Sequence, residues 1–372
     1  MPKTLMITTC GTSPLTNLAR NDENLATIIK ESANAVEKTA SAEQKKAIAA
    51  VAERFHEKLA QGTIADIRKA SAELNGLLGF YNNQLENAHA DVHFLLHTDT
   101  LQGETVAEVL REYLAGKKVN ASVQSFRDLR TDKLENFQSG LAGVINWCQE
   151  NLPGYRAAQY RIVFNLTGGF KSIQGWMQTL GMFYADEIIY IFESGGELLR
   201  IPRVPVNVDK AAIDVIDKHL PLFRRLGRPG ETCRHADVRG IPETFFYQCG
   251  QEYELSPWGK VTWIQAKDAL YSEKLLDSPV DAIRFTDRFK EAAGGRSRDE
   301  WAHINERIDD FAAYLADERK NPDRLNVRPL RGNPKPPSTH EFNAWAKSPG
   351  WRFFFHDQNG VKILDNLAEG LH

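Results

Sequence analysis

One short segment narrows the folds open to this chain of 372 residues. Residues 162–172 read Ile-Val-Phe-Asn-Leu-Thr-Gly-Gly-Phe-Lys-Ser, an apolar run that ends in polar residues and two glycines. Because a helical pattern begins at Ser172, the segment predicts a buried strand, a glycine turn and a helix N-terminus. Such a turn presents backbone N–H groups, a hydroxyl group and an ammonium group at one place, which suits an anion, above all a phosphate.

A similar strand and turn open the chain. Residues 4–13 read Thr-Leu-Met-Ile-Thr-Thr-Cys-Gly-Thr-Ser, again an apolar run followed by small polar residues and a glycine. Two turns of this kind in one α/β unit indicate a nucleotide-like ligand at the carboxyl edge of a sheet.

Strand and helix patterns alternate through the rest of residues 1–206. The strand-like segments are 92–97, 121–126, 160–166 and 187–193, and the helical segments between them are 105–114, 134–151 and 172–184. The alternation predicts an α/β fold with a doubly wound parallel sheet, to which Leu198–Pro202 adds a short partner strand. Residues 22–90 form a helical insertion, which we expect to be a solvated excursion or a dimer arm rather than a catalytic part.

The remaining sequence predicts two smaller domains. Residues 207–279 combine short helical stretches with a segment, Tyr253–Val261, that reads as a β-wing, a pattern typical of a winged helix-turn-helix. Residues 280–372 predict a small α+β domain, with a helix over 297–315 followed by an antiparallel sheet. The pair Asn359-Gly360 between the last two strands is a strong hairpin signal.

The composition excludes several classes of protein. The net charge of −3 carries no global nucleic-acid signature, so any contact with a polyanion has to be local. The four cysteines form no C-x-x-C pair, so we expect no zinc knuckle and a reduced, cytoplasmic compartment. The sequence has no cleavable signal and no apolar run of about 18 residues or more, so we expect no membrane association.

The residues expected to bind the ligand lie in three turns, which follow the first strand, the strand that ends at His97, and the strand of residues 160–166. Parallel strands end at the same edge of a sheet, so these turns should converge. The expected ligand-binding residues are Thr9, Gly11, Thr12, Ser13, Thr98, Thr100, Asn165, Thr167, Gly168, Gly169 and Lys171.

These turns carry a resemblance to a known family. Gly11-Thr-Ser13, Thr98-Asp-Thr100 and Asn165-Leu-Thr-Gly-Gly-Phe-Lys171 resemble the CARF domain, the Rossmann-like sensor of type III CRISPR systems, over about residues 1–205. The resemblance implies a homodimer that binds a cyclic oligoadenylate across its two-fold axis, and it favours cyclic tetra-adenylate. A symmetric cyclic ligand suits an isologous two-fold interface.

The densest basic stretch lies in the last domain. Between Arg324 and Lys362 there are seven lysines and arginines against two acidic residues, and aromatic residues such as Trp345 and Phe353 are interleaved with them. Basic and aromatic residues together on a sheet suit an RNA strand, because the cations bind phosphates and the rings stack on bases.

This domain also resembles a family. Arg328-Pro-Leu-Arg-Gly332, His340-Glu-Phe342 and Gly350-Trp-Arg-Phe-Phe-Phe355 look like segments of the RelE superfamily of mRNA interferases, over about residues 280–372. The resemblance places Arg331 and Arg352 at phosphate-binding or catalytic arginine positions and His372 near the C-terminal catalytic position. The expected catalytic residues are Arg331, His340, Glu341, Arg352, His356 and His372, and the expected RNA-binding residues are Arg328, Lys335 and Lys347.

The implied reaction is attack of a ribose 2′-OH on its 3′ phosphodiester. It needs a base, an acid for the 5′-oxygen and cations for the developing charge on phosphorus. Histidines transfer protons near neutral pH, and Glu341 is an alternative base. We expect no metal and no cofactor.

A CARF segment and a RelE-like segment in one chain resemble the CRISPR-associated CARF–RelE effectors. This implies an endoribonuclease, switched on by cyclic oligoadenylate, that cleaves mRNA at the ribosomal A site and arrests translation. Two alternatives stay open. A ligand-responsive transcriptional regulator would have a non-catalytic C-terminal domain and a basic helix within residues 207–279, and a ring nuclease would degrade the ligand with help from Ser13 or Lys171.

Overall fold

The computed structural model describes residues 3–169, 171–191, 196–228, 230–319, 321, 323–332, 334–345 and 350–370. The chain divides into two compact units, Met1–Asn207 and Val208–His372. The fold is mixed α/β, as predicted, with one mainly parallel sheet and further sheets that are mainly antiparallel. Across the described ranges, every helix is too short or too polar to cross a membrane.

Six strands form one sheet in the described part of the first unit. They are β1 (Thr4–Thr9), β2 (Val92–His97), β3 (Asn120–Ser125), β4 (Arg161–Asn165), β5 (Glu187–Ile191) and β6 (Leu198–Pro202). The order is β3-β2-β1-β4-β5-β6, and neighbours are parallel except β6, which is antiparallel to β5. The strand order reverses between β1 and β4, and the crevice at such a reversal is where doubly wound sheets bind ligands.

The helices of the first unit cover this sheet. They are α1 (Ser13–Ala19), α2 (Glu23–Glu31), α3 (Ala42–Gln61), α4 (Ile64–Ala70), α5 (Ala72–Phe80), α6 (Leu101–Gly116), α7 (Leu134–Ala157) and α8 (Lys171–Tyr184), with a 3₁₀ turn at Leu85–Ala88.

The helical insertion at residues 22–90 is present, but the expectation of a solvated excursion is wrong. Phe55 of α3 and Leu74 and Leu77 of α5 are fully buried, in the same hydrophobic core as Met6 of β1 and Val163 of β4. Apolar residues at helical spacing bury a whole stripe of each helix against the rest of the unit. The insertion is therefore part of the core of this unit.

The second unit begins with helices around a short hairpin. These elements are α9 (Lys210–Lys218), α10 (Leu220–Leu226), α11 (His235–Val238), a 3₁₀ turn (Glu243–Phe245), β7 (Phe246–Cys249), β8 (Glu252–Leu255) and α12 (Pro257–Tyr271). The wing predicted at Tyr253–Val261 is wrong in its second half. Ser256 accepts a hydrogen bond from the Gly259 backbone and Pro257 occupies the first helical turn, so a helix begins there.

The unit ends in a five-stranded sheet with two helices, among the residues described. The elements are β9 (Ile283–Phe285), α13 (Asp287–Gly294), α14 (Arg298–Ala316), β10 (Arg328–Pro329), β11 (His340–Trp345), β12 (Trp351–Gln358) and β13 (Val361–Glu369). The order is β10-β11-β12-β13-β9, and β9 is parallel to β13, so the predicted all-antiparallel arrangement misses this strand. Ser297 and Glu300 form a capping box at the start of α14.

Side chains alternate between the two faces of this last sheet. Phe342, Phe353 and Phe355 pack on the helix side, where the ring of Phe342 lies 4.4 Å from that of Phe311 in α14. The opposite face carries cross-strand neighbours that are mostly polar or charged, and we call it the polar face. Its residues are Arg328, Glu341, Asn343, Arg352, Phe354 and His356.

Candidate functional site

The turns after β1 and β4 are in direct contact. The hydroxyl group of Thr9 donates a hydrogen bond to the carbonyl oxygen of Gly168 at 2.6 Å. A methyl group added at Gly11 would lie 3.0 Å from the backbone nitrogen of Gly169. The structure therefore brings together two of the predicted turns, and we call residues 9–13, 165–169 and 171 the turn edge.

The conformation of this edge depends on Gly169. Its φ angle is +108°, a region that side chains other than glycine rarely adopt, and an added methyl group would lie 2.8 Å from the hydroxyl oxygen of Thr9. A glycine is needed here because the two turns approach so closely.

A buried carboxylate that no sequence motif marks lies inside the turn edge. Glu73 of α5 is fully buried, and its Oε1 accepts a hydrogen bond from the backbone N–H of Gly11 at 2.8 Å. Its Oε2 accepts another from the hydroxyl group of Ser71 at 2.7 Å. Burial raises the pKa of Glu73 above its ordinary value. The Gly11 N–H, predicted to face a phosphate, is therefore already held by a carboxylate of the protein.

Helix α5 also occupies the inner side of the β4 turn. The Asn165 amide donates to the backbone carbonyl of Glu73 at 3.0 Å, and its oxygen accepts from the Thr167 backbone at 3.3 Å. The Thr167 hydroxyl oxygen is buried and forms no hydrogen bond with the described residues. A methyl group at Gly76 would lie 2.6 Å from that hydroxyl. These two predicted ligand residues thus face α5.

The turn after β2 has its hydroxyl groups engaged in the same way. Thr100 caps α6 by accepting from the Gly103 backbone at 3.1 Å, and the Thr98 hydroxyl oxygen lies 3.0 Å from that of Thr100. Both threonines are buried. These hydroxyl groups therefore already help to hold the turn.

The remaining predicted ligand residues face outward. Lys171, the first residue of α8, and Ser13, the first of α1, are exposed, and Thr12 is half-buried with no capping hydrogen bond from its side chain. A cation at a helix N-terminus adds to the positive end of the helix dipole. The outer surface of the turn edge therefore suits an anion better than its inner surface.

In the second unit, the polar face holds one tight ion pair. Glu341 is buried, and its Oε1 accepts from the guanidinium group of Arg328 at 2.6 and 2.7 Å. The side chain of Arg328 is 47% exposed, so its outer edge still faces solvent. Glu341 is therefore neutralised by an arginine, and a role as free base would require that pair to open.

A histidine on the same face is held by a second carboxylate. The Nδ1 atom of His356 lies 2.9 Å from both carboxylate oxygens of Asp365, which is buried. The hydroxyl group of Ser338 donates to Oδ2 of Asp365 at 2.7 Å. Among the predicted catalytic residues in the described ranges, His356 is the histidine that the structure places on the polar face.

The cations on the polar face and in the segment between β10 and β11 differ in their exposure and in their contacts. Arg331 is exposed, in the segment between β10 and β11. Lys335, in the same segment, sits over the ring of Phe354 at 4.3 Å. Arg352 is half-buried and donates to the carbonyl oxygen of Trp351 at 3.2 Å, while its Nε is buried and unbonded within the described residues.

His340 is not part of this grouping. It is the cross-strand partner of Phe355, and the two rings stack with centroids 5.2 Å apart on the helix side of the sheet. Because neighbours in a strand point to opposite faces, His340 and Glu341 cannot act on one atom from this arrangement. The structure thus separates two residues predicted to work together.

Two expected residues, His372 and Lys347, lie outside the described residues. Within the described ranges, no group of three or more histidine, cysteine, aspartate or glutamate side chains is placed to hold a metal ion.

Residues 68–204 match the family model described as CRISPR-associated protein (Cas_APE2256). The matched segment includes α5 with Glu73 and the β4 turn with Lys171, and it lies wholly within the first unit. Over this segment the chain is similar to CRISPR-associated proteins of that family.

Proposed function

We propose that this protein is a CRISPR-associated endoribonuclease activated by a cyclic oligoadenylate. The first unit would be the sensor, acting as a homodimer, and the second would cleave mRNA at the ribosomal A site. The observation that carries the proposal is the polar face, where one sheet surface holds a fixed histidine, an arginine-paired glutamate and the half-exposed guanidinium group of Arg328. Cleavage of RNA through its own 2′-OH needs groups that transfer protons and cations that bind the phosphate.

The roles on the polar face follow from what each side chain already contacts. His356 is the candidate base or acid, since its Nε2 forms no hydrogen bond with the described residues. Arg331 and Arg352 are the candidate phosphate clamps, because guanidinium groups bind phosphate oxygens bidentately. Lys335 and the open edge of Arg328 would hold the RNA strand on either side.

The sensor role is supported by the match of residues 68–204 and by the outward groups of the turn edge. Lys171 and Ser13 offer a cation and a hydroxyl group to a phosphate of the ligand. Activation requires that the ligand bind one state of the protein more tightly than another. The resemblance to CARF domains favours cyclic tetra-adenylate as that ligand.

The regulator alternative depends on arginines in the first part of the second unit, and these are largely engaged. Arg224 is buried and bonded to Asp309 of α14 at 2.8 Å. Arg228 is mostly buried and donates to the backbone carbonyl of Asp309 at 3.4 Å. Arginines held by Asp309 of α14 are poorly placed to read DNA, which favours the nuclease over the regulator.

The deciding experiment incubates the purified full chain with translating ribosomes and a defined mRNA, with and without cyclic tetra-adenylate, and maps the mRNA 5′ ends. We expect ligand-dependent cuts at A-site codons. His356→Gln should abolish the cuts while ligand binding persists, and Lys171→Ala should raise the ligand concentration needed for activation. The matched control is Lys210→Ala, which removes an exposed lysine paired with Asp214 and should change neither.

Absence of cuts with both tetra- and hexa-adenylate, on ribosomes and on free RNA, would overturn the nuclease proposal. The same reactions report on the ring nuclease alternative, because chromatography of the ligand after incubation shows whether it has been opened. Ligand loss without mRNA cleavage would move the assignment to that alternative.

A further inference from the structure

We infer that Asp365 is a positioning residue that fixes the proton of His356 on Nδ1 and so leaves Nε2 as the proton-transfer atom of the polar face. The chemical consequence of this inference rests on the proposed function. The proton position itself does not, and it can be measured on the protein without any substrate.

The geometry of the pair carries the inference. Both carboxylate oxygens of Asp365 lie 2.9 Å from Nδ1 of His356, which is the distance of a charge-assisted hydrogen bond. A carboxylate accepts and does not donate, so the proton of a neutral imidazole belongs on Nδ1. The side chain of Asp365 is only 7% exposed, whereas that of His356 is 22% exposed, so the histidine is the member of the pair that solvent reaches.

A β-bulge is what aims Asp365 at the histidine. In the pairing of β12 with β13, Phe354 faces Asn366 and Phe355 faces Leu364, so Asp365 is the extra residue between two regular pairs. A bulged residue leaves the ladder and can redirect its side chain. Leu364 lies in the hydrophobic core on the helix side, while the carboxylate of Asp365 reaches His356 of the polar face.

Ser338 holds the carboxylate from the other side. Its hydroxyl group donates to Oδ2 of Asp365 at 2.7 Å, and Ser338 is itself buried. A buried carboxylate with two donors is fixed in orientation, and the imidazole that it holds is fixed with it. Asp357, which follows His356 in the chain, is paired with Lys362.

The consequence for the reaction follows directly. Nε2 takes the proton of the ribose 2′-OH as the 2′-oxygen forms a bond to phosphorus and the 5′-oxygen leaves with the electron pair of its P–O bond. The products are a 2′,3′-cyclic phosphate and a 5′-hydroxyl group, the latter protonated by an acid of the site or by water. The imidazolium that forms is stabilised by the carboxylate on Nδ1.

The first test is magnetic resonance of the full chain labelled with ¹⁵N-histidine. The signals of His356 are assigned by their loss in His356→Gln. We expect the neutral ring to carry its proton on Nδ1 in the wild type and on Nε2, or to exchange between the two, in Asp365→Asn. A wild-type ring protonated on Nε2 would overturn the inference whether or not the protein cleaves RNA.

The second test is kinetic. Asp365→Asn should lower kcat by about 10²-fold with KM nearly unchanged, because a misoriented base loses proton transfer and not RNA binding. Ser338→Ala, which keeps the Asp365 carboxylate, should lower kcat by about threefold to tenfold, the low end of effects for supporting residues. Asp281→Asn is the matched control, an exposed aspartate before β9 whose loss should leave kcat unchanged.

The two tests separate the failure of each proposal. A wild-type protein that cuts no RNA but shows the Nδ1 proton overturns the nuclease and keeps the positioning role. A wild-type protein that cuts RNA with unchanged kcat in Asp365→Asn keeps the nuclease and overturns the positioning role. If Asp365→Asn does not fold, the same decision rests on Ser338→Ala and on the wild-type tautomer.

Discussion

The turn edge of the first unit and the polar face of the second both collect groups that bind anions, but they differ in what those groups already hold. At the turn edge, the Gly11 N–H holds Glu73 and the hydroxyl group of Thr9 holds the Gly168 carbonyl. In the second unit, Arg328 of the polar face is paired with a carboxylate, whereas Arg331, in the segment between β10 and β11, is exposed. Judged by residue type alone, the two sites would be equally good candidates for binding an anion.

This difference shows that the donors of an anion site have to be counted together with the protein groups that already bind them. A phosphate approaching the inner turn edge meets the carboxylate of Glu73, and burying two negative charges together is costly. A phosphate approaching the polar face meets the half-exposed guanidinium group of Arg328. The ligand of the first unit is therefore expected to bind through the outer residues, such as Lys171, unless Glu73 is protonated or moves.

The largest expected effect comes from breaking the contact between α5 and the turn edge. In Gly168→Ala the added methyl group would overlap the carboxylate of Glu73. Overpacking of this kind costs about 1–3 kcal/mol in the free energy of unfolding. Amide hydrogen exchange of the full chain measures this loss of stability. We expect the amides of β1 and β4 to exchange faster in the variant than in the wild type.

Gly175→Ala is the matched control for this variant. An added methyl group there meets nothing within 4 Å, and alanine favours the helix interior by about 0.5–1 kcal/mol over glycine. Equal exchange rates in the two variants would mean that the Glu73 side chain moves aside easily and does not block the inner side of the turn edge.

The second prediction concerns the charge of Glu73. Burial raises the pKa of this carboxyl group above its ordinary value of 4.5, so the folded state keeps the proton after the unfolded chain has lost it. Stability from this group is therefore present below pH 4.5 and is lost as the pH rises to the raised pKa, with a slope of at most about 1.4 kcal/mol per pH unit for one proton. Glu73→Gln cannot ionise and lacks this loss.

The measurement is the stability of Glu73→Gln minus that of the wild type across the acid range. The difference should grow as the pH rises above 4.5 and then level off. A difference that does not change with pH would mean that the carboxyl group ionises normally. The turn edge would then offer the ligand a permanent negative charge.

Much of this comparison could be read from the sequence, and the missing parts share a physical cause. The parallel strands of the first unit follow from local patterns, and they are present. Glu73 was missed because its partner Gly11 lies 62 positions away, and no local pattern reports such a contact. Asp365 was missed because a bulge, which depends on strand pairing, turns it toward His356.

Both missed residues did leave a weak signal. Glu73 directly precedes the largely apolar segment Leu74–Phe80, and Asp365 interrupts the apolar run of β13. A carboxylate inside an apolar element is seldom buried without a partner, so each could have been marked as a candidate. The separation of His340 from Glu341, in contrast, follows from strand alternation once the strand is assigned.

The third prediction sharpens the contrast within the polar face. Arg328→Ala leaves the buried carboxylate of Glu341 without its partner, which costs about 1 kcal/mol, since the arginine is half exposed and partly screened by solvent. A double-mutant cycle with Glu341→Gln, read by denaturant unfolding, isolates the pair. If Arg328→Ala is equally costly in both backgrounds, the pair does not hold Glu341, and that carboxylate becomes available as a base.

The smallest effect on stability is expected for Arg331→Ala, and it is the most informative about RNA. Arg331 is exposed, so its removal should change the free energy of unfolding by less than about 0.5 kcal/mol. If Arg331 binds a phosphate, its removal should weaken the salt dependence of RNA binding. For a single-stranded RNA with 2′-O-methyl groups, the slope of the logarithm of the binding constant against the logarithm of the salt concentration should become smaller by about one phosphate contact. Arg319→Ala is the matched control, because that arginine is exposed but paired with Asp317 and should leave the slope unchanged. A slope unchanged in both variants would mean that the exposed guanidinium group of Arg331 does not bind RNA. The contrast between the second unit and the turn edge would then depend on Glu73 alone.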